Sequence, residues 1–281
     1  MQKSPDFSEQ KYKEVVNRKY DSLFGNKKPT MTGYTNDTLK QTFVMYNTLS
    51  FYALENRYLT GMEAAFIELK RRGLEKTNYN ISHNNSTFVG NMFSAYITQG
   101  DLSSAKRIQG EYPEILSSEH VPSTREPVEY LGKNWNLYSV SADGKYFELE
   151  PVDIKTRPMM LAIMSTDCHF SRRVLKTVLA DPELKRDFEE YATIILPINE
   201  SLSFIPEVVR WNSENPKLLF RVYSSRRDLR SGWEKFDFTS IPQFFFLKNG
   251  EVVDHIGGWG PNDEEFAIKL RKGLDKIKTL Q

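Results

Sequence analysis

Apolar residues recur at helical spacing through the first part of the chain. From Thr38, the residues Leu39, Phe43, Tyr46, Leu49 and Ala53 fall on one face of a helical period. From Thr60, Met62, Ala65, Phe66 and Leu69 do the same, with Gly73 as the stop. Phe88, Met92 and Tyr96 predict a third helix ending at Gly100; Leu102, Ala105 and Ile108 predict a fourth. Ahead of these, the polar residues 1–36 predict one short helix near 8–22 and then a loop. The Asn-rich stretch 76–86 reads as loop, and 110–130, with Pro113, Pro122 and Pro127, reads as linker.

Beyond the prolines the period shortens. Trp135–Val140 and Lys145–Leu149 flank Ala142-Asp143-Gly144, and Asp-Gly between alternating runs is a strong hairpin signal. Then come a strand at 158–164, a helix from Cys168 to about 179, and a helix after Asp181-Pro182. A strand at 192–198, a helix at 204–213, a strand at 218–223 and a short helix near 225–235 follow. Two strands, 243–248 and 251–256, are joined by Asn249-Gly250, and a helix over 262–278 closes the chain. Strands alternating with helices and then a hairpin predict an α/β domain with a mixed sheet flanked by helices, preceded by an N-terminal all-helical subdomain. The expected boundaries are 1–36 for the N-terminal helix and loop, 37–112 for the helical subdomain, 113–134 for a linker and 135–281 for the α/β domain.

Composition narrows the function classes. Lys and Arg number 38 against 37 Asp and Glu in 281 residues, so there is no electrostatic case for nucleic acid or an anionic membrane surface. No run is long enough for a membrane span. The first residues carry no apolar signal-peptide core, which implies a cytoplasmic protein or one whose leader has been removed. A single Cys excludes a disulfide framework and a multi-Cys metal site, and the four His show no ligand spacing. No metal and no cofactor are expected.

That single Cys is the candidate chemistry. The apolar run Met159–Met164 ends, Ser165-Thr166-Asp167 follow, and Cys168 opens a helical pattern. Amide groups at a helix start carry partial positive charge, which favours thiolate over thiol. Asp167 can cap the helix through its carboxylate, although its charge would oppose a thiolate. His169, if protonated, and Arg172 and Arg173 would favour one, and Ser171 can donate a hydrogen bond to the sulfur. Phe170, Met159 and Met164 would desolvate it. The alternative for an isolated Cys is a small buried hydrophobe without chemistry.

Three features in order resemble the thioredoxin fold over about residues 135–278: the strand-to-helix thiol at Cys168, the step Ile241-Pro242 before Gln243-Phe244-Phe245-Phe246-Leu247, and Gly257-Gly258 ahead of the last helix. The resemblance implies a cis Ile241–Pro242 bond lying against the thiol. The hairpin at 137–149 and the added helix and strand between 204 and 223 resemble the TlpA-like oxidoreductases of the bacterial envelope. Cys168–Ser171 reads Cys-x-x-Ser, as in domains of the anterior-gradient type. Cys-His-Phe-Ser is also similar to the Cys-Gly-Phe-Ser of monothiol glutaredoxins, which bind an iron–sulfur cluster with glutathione, but the matching Lys and the glutathione clamp are missing. In the helical part, the segment from Ala95 through Tyr96, Gly100 and Asp101 to Ala105 resembles the turn of a tetratricopeptide hairpin; an ordinary helical hairpin has the same spacing.

The departures matter. Ser171 stands where a dithiol enzyme has its resolving Cys, and Leu161-Ala162-Ile163 lack the acid that assists resolution. The resemblance therefore implies a monothiol thiol–disulfide exchange protein, isomerase-like or client-retaining, with Cys168, Ser171 and Pro242 in the catalytic site and Asp167, His169, Phe170 and Ile241 in support. Its partners would be a protein client with a disulfide or thiol, and glutathione or another small thiol. The TlpA-like features lean towards a bacterial extracytoplasmic protein with its leader removed; the alternative is a cytoplasmic one. The rival from another class is a redox-inactive thioredoxin-fold scaffold for protein interaction.

Overall fold

The computed structural model describes residues 9–24, 31–53, 55–81, 84–198, 202–226, 229, 232–236, 238 and 240–278. The chain forms two compact units, residues 1–119 and 120–281.

The first unit holds α1 (Glu9–Phe24), α2 (Asn36–Ala53), α3 (Asn56–Arg71), β1 (Asn78–Ile81), β2 (Asn84–Thr87), α4 (Phe88–Thr98) and α5 (Leu102–Glu111). Helix α3 begins four residues before Thr60, because Tyr58 is buried and extends the same apolar face backwards. Gly61 lets α3 approach the ring of Tyr46 on α2: a Cβ there would stand 2.4 Å from a ring carbon. Helix α4 is capped by Thr87, whose hydroxyl accepts from the Gly90 amide at 3.0 Å. Gly100, at φ +73°, turns the chain into α5, where Asp101 accepts from the Ser104 amide. The stretch 76–86 corrects the loop expectation. It contains β1 and β2, paired antiparallel with Asn78 opposite Thr87. Tyr79 and Ile81 alternate with Asn78 and Asn80 in β1, a signal too short to stand out in an Asn-rich stretch, and β2 is wholly polar. Residues 82 and 83 lie outside the described residues.

The second unit is built on one eight-stranded sheet. Its strands are β3 (Ser123–Arg125), β4 (Asn136–Val140), β5 (Tyr146–Pro151), β6 (Met159–Ile163), β7 (Ala192–Pro197), β8 (Phe220–Tyr223), β9 (Gln243–Lys248) and β10 (Glu251–Gly257). Their order across the sheet is β10-β9-β6-β7-β8-β4-β5-β3. Strands β6, β7 and β8 run parallel, β9 pairs antiparallel with β6, and β10 pairs antiparallel with β9. Its helices are α6 (His169–Ala180), α7 (Pro182–Tyr191), α8 (Ile205–Glu214) and α9 (Asp263–Lys278). A β-α-β unit beside an antiparallel hairpin and a last helix is a thioredoxin-like arrangement, here widened by β8 and the β3–β5 extension.

Every residue of β6 is buried, as a central strand covered on both faces requires. Met159, Leu161 and Ile163 face a core with Leu137, Ile195, Phe245, Leu247 and Trp233. On the other face, α9 packs against β9: the Phe266 ring lies 5.3 Å from that of Phe244. Gly273 of α9 sits so close to Phe246 that a Cβ would stand 2.3 Å from its ring.

Two further expectations are corrected. The proline-rich stretch 113–134 contributes β3, which pairs parallel with β5. Glu126, just after β3, is gripped by Arg226 through two bonds of 2.8 Å, and Tyr138 donates to the same carboxylate. Burial alone would raise the Glu126 carboxyl; the Arg226 and Tyr138 hydrogen bonds outweigh it and hold it below the usual carboxylate range. The short helix expected over 225–235 is, among its described residues, one 3-10 turn at Trp233–Lys235; residues 227, 228, 230 and 231 lie outside the described set. Trp233 is wholly buried and donates from Nε1 to the Asn136 carbonyl at 3.0 Å. Strand β8 starts at Phe220, two residues late, because Leu218 is held in a turn by the Asn215 carbonyl. Asn212 of α8 bonds both the amide and the carbonyl of Phe220, which fixes that start.

Candidate functional site

The site lies where β6 hands the chain to α6. The Met164 amide makes a last ladder bond to Ile195 O, and a tight turn follows. The Asp167 amide donates to Ser165 Oγ at 3.2 Å, and the Cys168 amide to Ser165 O at 3.3 Å. Cys168 is the N-cap of α6, in extended conformation (φ −80°, ψ 121°), and its side chain makes no capping bond. The cap is therefore one residue later than expected. Asp167 lies exposed outside the helix, and its backbone is spent on the turn. Cys168 is partly exposed, at the start of a helix whose first-turn amides have no intrahelical acceptors.

Across from it is the turn that opens β9. The Ile241–Pro242 peptide bond is cis. Cys168 Sγ lies 4.0 Å from the Ile241 carbonyl oxygen. Pro242 is buried, and its carbonyl accepts from the Gly258 amide at 2.8 Å, which ties the turn to the end of β10. Gly258 has φ +76°, a conformation that suits a residue without a side chain.

The remaining candidates divide. Ser171 is wholly buried, and its hydroxyl oxygen accepts from the Ser165 amide at 3.2 Å. The structure thus ties this hydroxyl oxygen, as an acceptor, to the turn before the helix. Met159 and Met164 are buried. His169 and Phe170 are exposed and pack edge-to-face at 5.7 Å. Arg172 is exposed, while Arg173 bonds Asp263 at the start of α9 at 2.7 Å and covers the Trp259 ring at 5.3 Å. The charge of Arg173 is thereby directed to α9.

The sequence reading missed Gln243 and His255. Gln243 directly follows Pro242, is buried, and donates from its amide to Ser240 O at 3.0 Å. His255 of β10 meets the Gln243 amide oxygen at 2.7 Å and stacks on Phe245 with centroids 4.4 Å apart. One signal was available: Gln243 is the polar residue that opens the run Phe244-Phe245-Phe246-Leu247.

No protein-family model matches the chain, and no curated protein matches it. Among solved structures, it is similar to a candidate protein disulfide isomerase from Bacteroides thetaiotaomicron at 15% identity, over 53% of this chain and 90% of that one, with a TM-score of 0.35. A thioredoxin-family thiol:disulfide interchange protein from Chlorobium tepidum matches at 17% identity, over 50% and 94%, with a TM-score of 0.31. A thioredoxin-like protein from Bacteroides caccae matches at 12% identity over 97% and 96%, with a TM-score of 0.29. Likenesses this distant say nothing of activity. Among the described residues, no helix is long and apolar enough to cross a membrane.

Proposed function

We propose that the second unit performs thiol–disulfide exchange of the monothiol type through Cys168. The observation that carries the reading is a contact at the sulfur: Cys168, partly exposed at a helix start, has its sulfur 4.0 Å from the carbonyl of the cis Ile241–Pro242 turn. In the exchange, the Cys168 thiolate attacks one sulfur of a client disulfide. That S–S bond breaks, its electron pair leaves on the second client sulfur, which takes a proton, and a mixed disulfide joins client and Cys168. Positive partial charge at the start of α6 stabilises the attacking anion.

Release then requires a second thiol, because Ser171 cannot attack. A client thiol or glutathione, as thiolate, displaces Cys168 and restores it. With a client thiol the cycle moves a disulfide within the client and leaves its oxidation state unchanged, which is isomerisation. The all-apolar β6 supports this over reductase turnover, since that strand carries no acid to shuttle protons for a resolving thiol. The first unit is assigned client recruitment.

The test is intact mass after incubation with oxidised glutathione and acid quenching. One glutathione adduct is expected, absent from C168S and reversed by reduced glutathione. A folded protein that takes no adduct would instead be a thioredoxin-fold binding scaffold.

A further inference from the structure

Gln243 is a buried amide at the head of an otherwise apolar strand, and both ends of that amide are engaged. Its nitrogen donates to the Ser240 carbonyl at 3.0 Å, two residues before Pro242. Its oxygen therefore faces His255, whose Nε2 lies 2.7 Å away. With the nitrogen committed to Ser240, the imidazole must donate, so His255 fixes which way the amide points. The imidazole is in turn held flat against Phe245. The turn Ser240-Ile241-Pro242 is thus tied at both sides: Ser240 O to Gln243, and Pro242 O to Gly258. Between these ties lies the Ile241 carbonyl that meets Cys168 Sγ.

We propose that Gln243, held by His255, is a positioning residue for exchange at Cys168. It touches no reacting atom; it acts by fixing the Ser240–Pro242 turn and so the wall against which an incoming disulfide must line up with the sulfur. A buried polar side chain in the sheet costs stability unless fully bonded, and here one bond holds the turn beside the thiol while the other anchors the amide to β10. The inference rests on the exchange reading above.

The test compares two rates at Cys168 in the full chain: mixed-disulfide formation with a peptide disulfide, which must align between the sulfur and the turn, and alkylation by iodoacetamide, which needs no such alignment. Q243L keeps the side-chain size and removes both hydrogen bonds. It is expected to slow the peptide reaction at least about tenfold while leaving alkylation within about twofold, since small misplacements of a reacting pair are costly. H255Q, which restores an N–H donor to the Gln243 oxygen, is expected to keep the ratio of the two rates nearer to wild type than H255L does. Should Q243L not fold, Q243E keeps size and places an acceptor against Ser240 O, and the same split is expected. Equal slowing of both reactions, or no slowing in a folded variant, overturns the positioning role while the exchange reading stands. A wild type that forms no mixed disulfide overturns both.

Discussion

Gly273→Ala is the sharpest probe of how the sheet that carries the site is packed. In an open helix this change stabilises, because Ala is favoured over Gly by about 1 kcal/mol. At Gly273 the new methyl would stand 2.3, 2.4 and 2.7 Å from three ring carbons of Phe246. Carbon atoms rest at about 3.5–4.0 Å, so α9 or the ring must shift by about 1 Å. Phe246 is wholly buried on β9, next to the central strand β6, and has no open space to move into. Overpacking of this kind costs about 1–3 kcal/mol. The net expectation is a loss of about 1–2 kcal/mol, with the sign reversed from the helix-propensity value. All four Trp (Trp135, Trp211, Trp233 and Trp259) lie in the second unit, so urea unfolding followed by Trp fluorescence reports on that unit. The F246L background completes a double-mutant cycle: once the ring is gone, G273A should be neutral or stabilising, a coupling of at least about 1 kcal/mol. If G273A alone leaves the midpoint unchanged or raises it, the close approach of α9 to β9 is wrong.

Trp233→Ala removes the largest wholly buried side chain and its bond to Asn136, and should cost about 3–5 kcal/mol by the same fluorescence assay on the remaining Trp. Acid should weaken the second unit through Glu126. Its folded carboxyl lies below the usual range, so it contributes stability above the unfolded value of about 4.3 and loses it as pH falls through the folded value. Urea midpoints should therefore fall on acidification through that range, and E126Q should flatten the slope while lowering the neutral-pH midpoint; an unchanged slope would remove the assignment. Asp181 and Asp254 add to the same trend. The amides of Leu184 and Glu183, with Arg271, hold the Asp181 carboxyl low; at Asp254 burial alone would raise it, and Lys276 and the His255 amide outweigh that.

Much of the α/β unit was legible because its elements announce themselves locally. The unbroken apolar run Met159–Ile163 reads as a strand covered on both faces, and Asp143-Gly144 and Asn249-Gly250 mark two turns. The shortest strands were not legible: β1 and β2 are four residues each in an Asn-rich stretch, and β3 is three residues among prolines. The Gln243–His255 contact was hidden for a different reason. Counting back from the Asn249-Gly250 turn pairs Val252 with Leu247 and, continued, would set His255 opposite Phe244, on the other face from Gln243. A bulge between Val252 and Asp254 shifts the register by one, so that His255 opposes Phe245 and shares the face of Gln243. The one-residue difference between Asp167 and Cys168 as helix cap has a similar origin. It depends on the turn made by the Ser165 hydroxyl and carbonyl, which periodicity does not report.

The central claim is that Ser171 occupies the place of a resolving thiol beside a reactive Cys168. Ser171→Cys tests it most directly. Residues three apart face the same side of a helix's first turn, within reach of a disulfide. The lost bond to the Ser165 amide should cost about 1 kcal/mol, which a folded unit tolerates. Non-reducing mass spectrometry under mild oxidation should show a reversible internal disulfide in S171C. Glutathione adducts of S171C should be short-lived, where those of wild type persist, because attack from within the site outpaces attack by a free thiol. Two free thiols in oxidised S171C, together with a wild-type Cys168 that takes no adduct, would contradict the account.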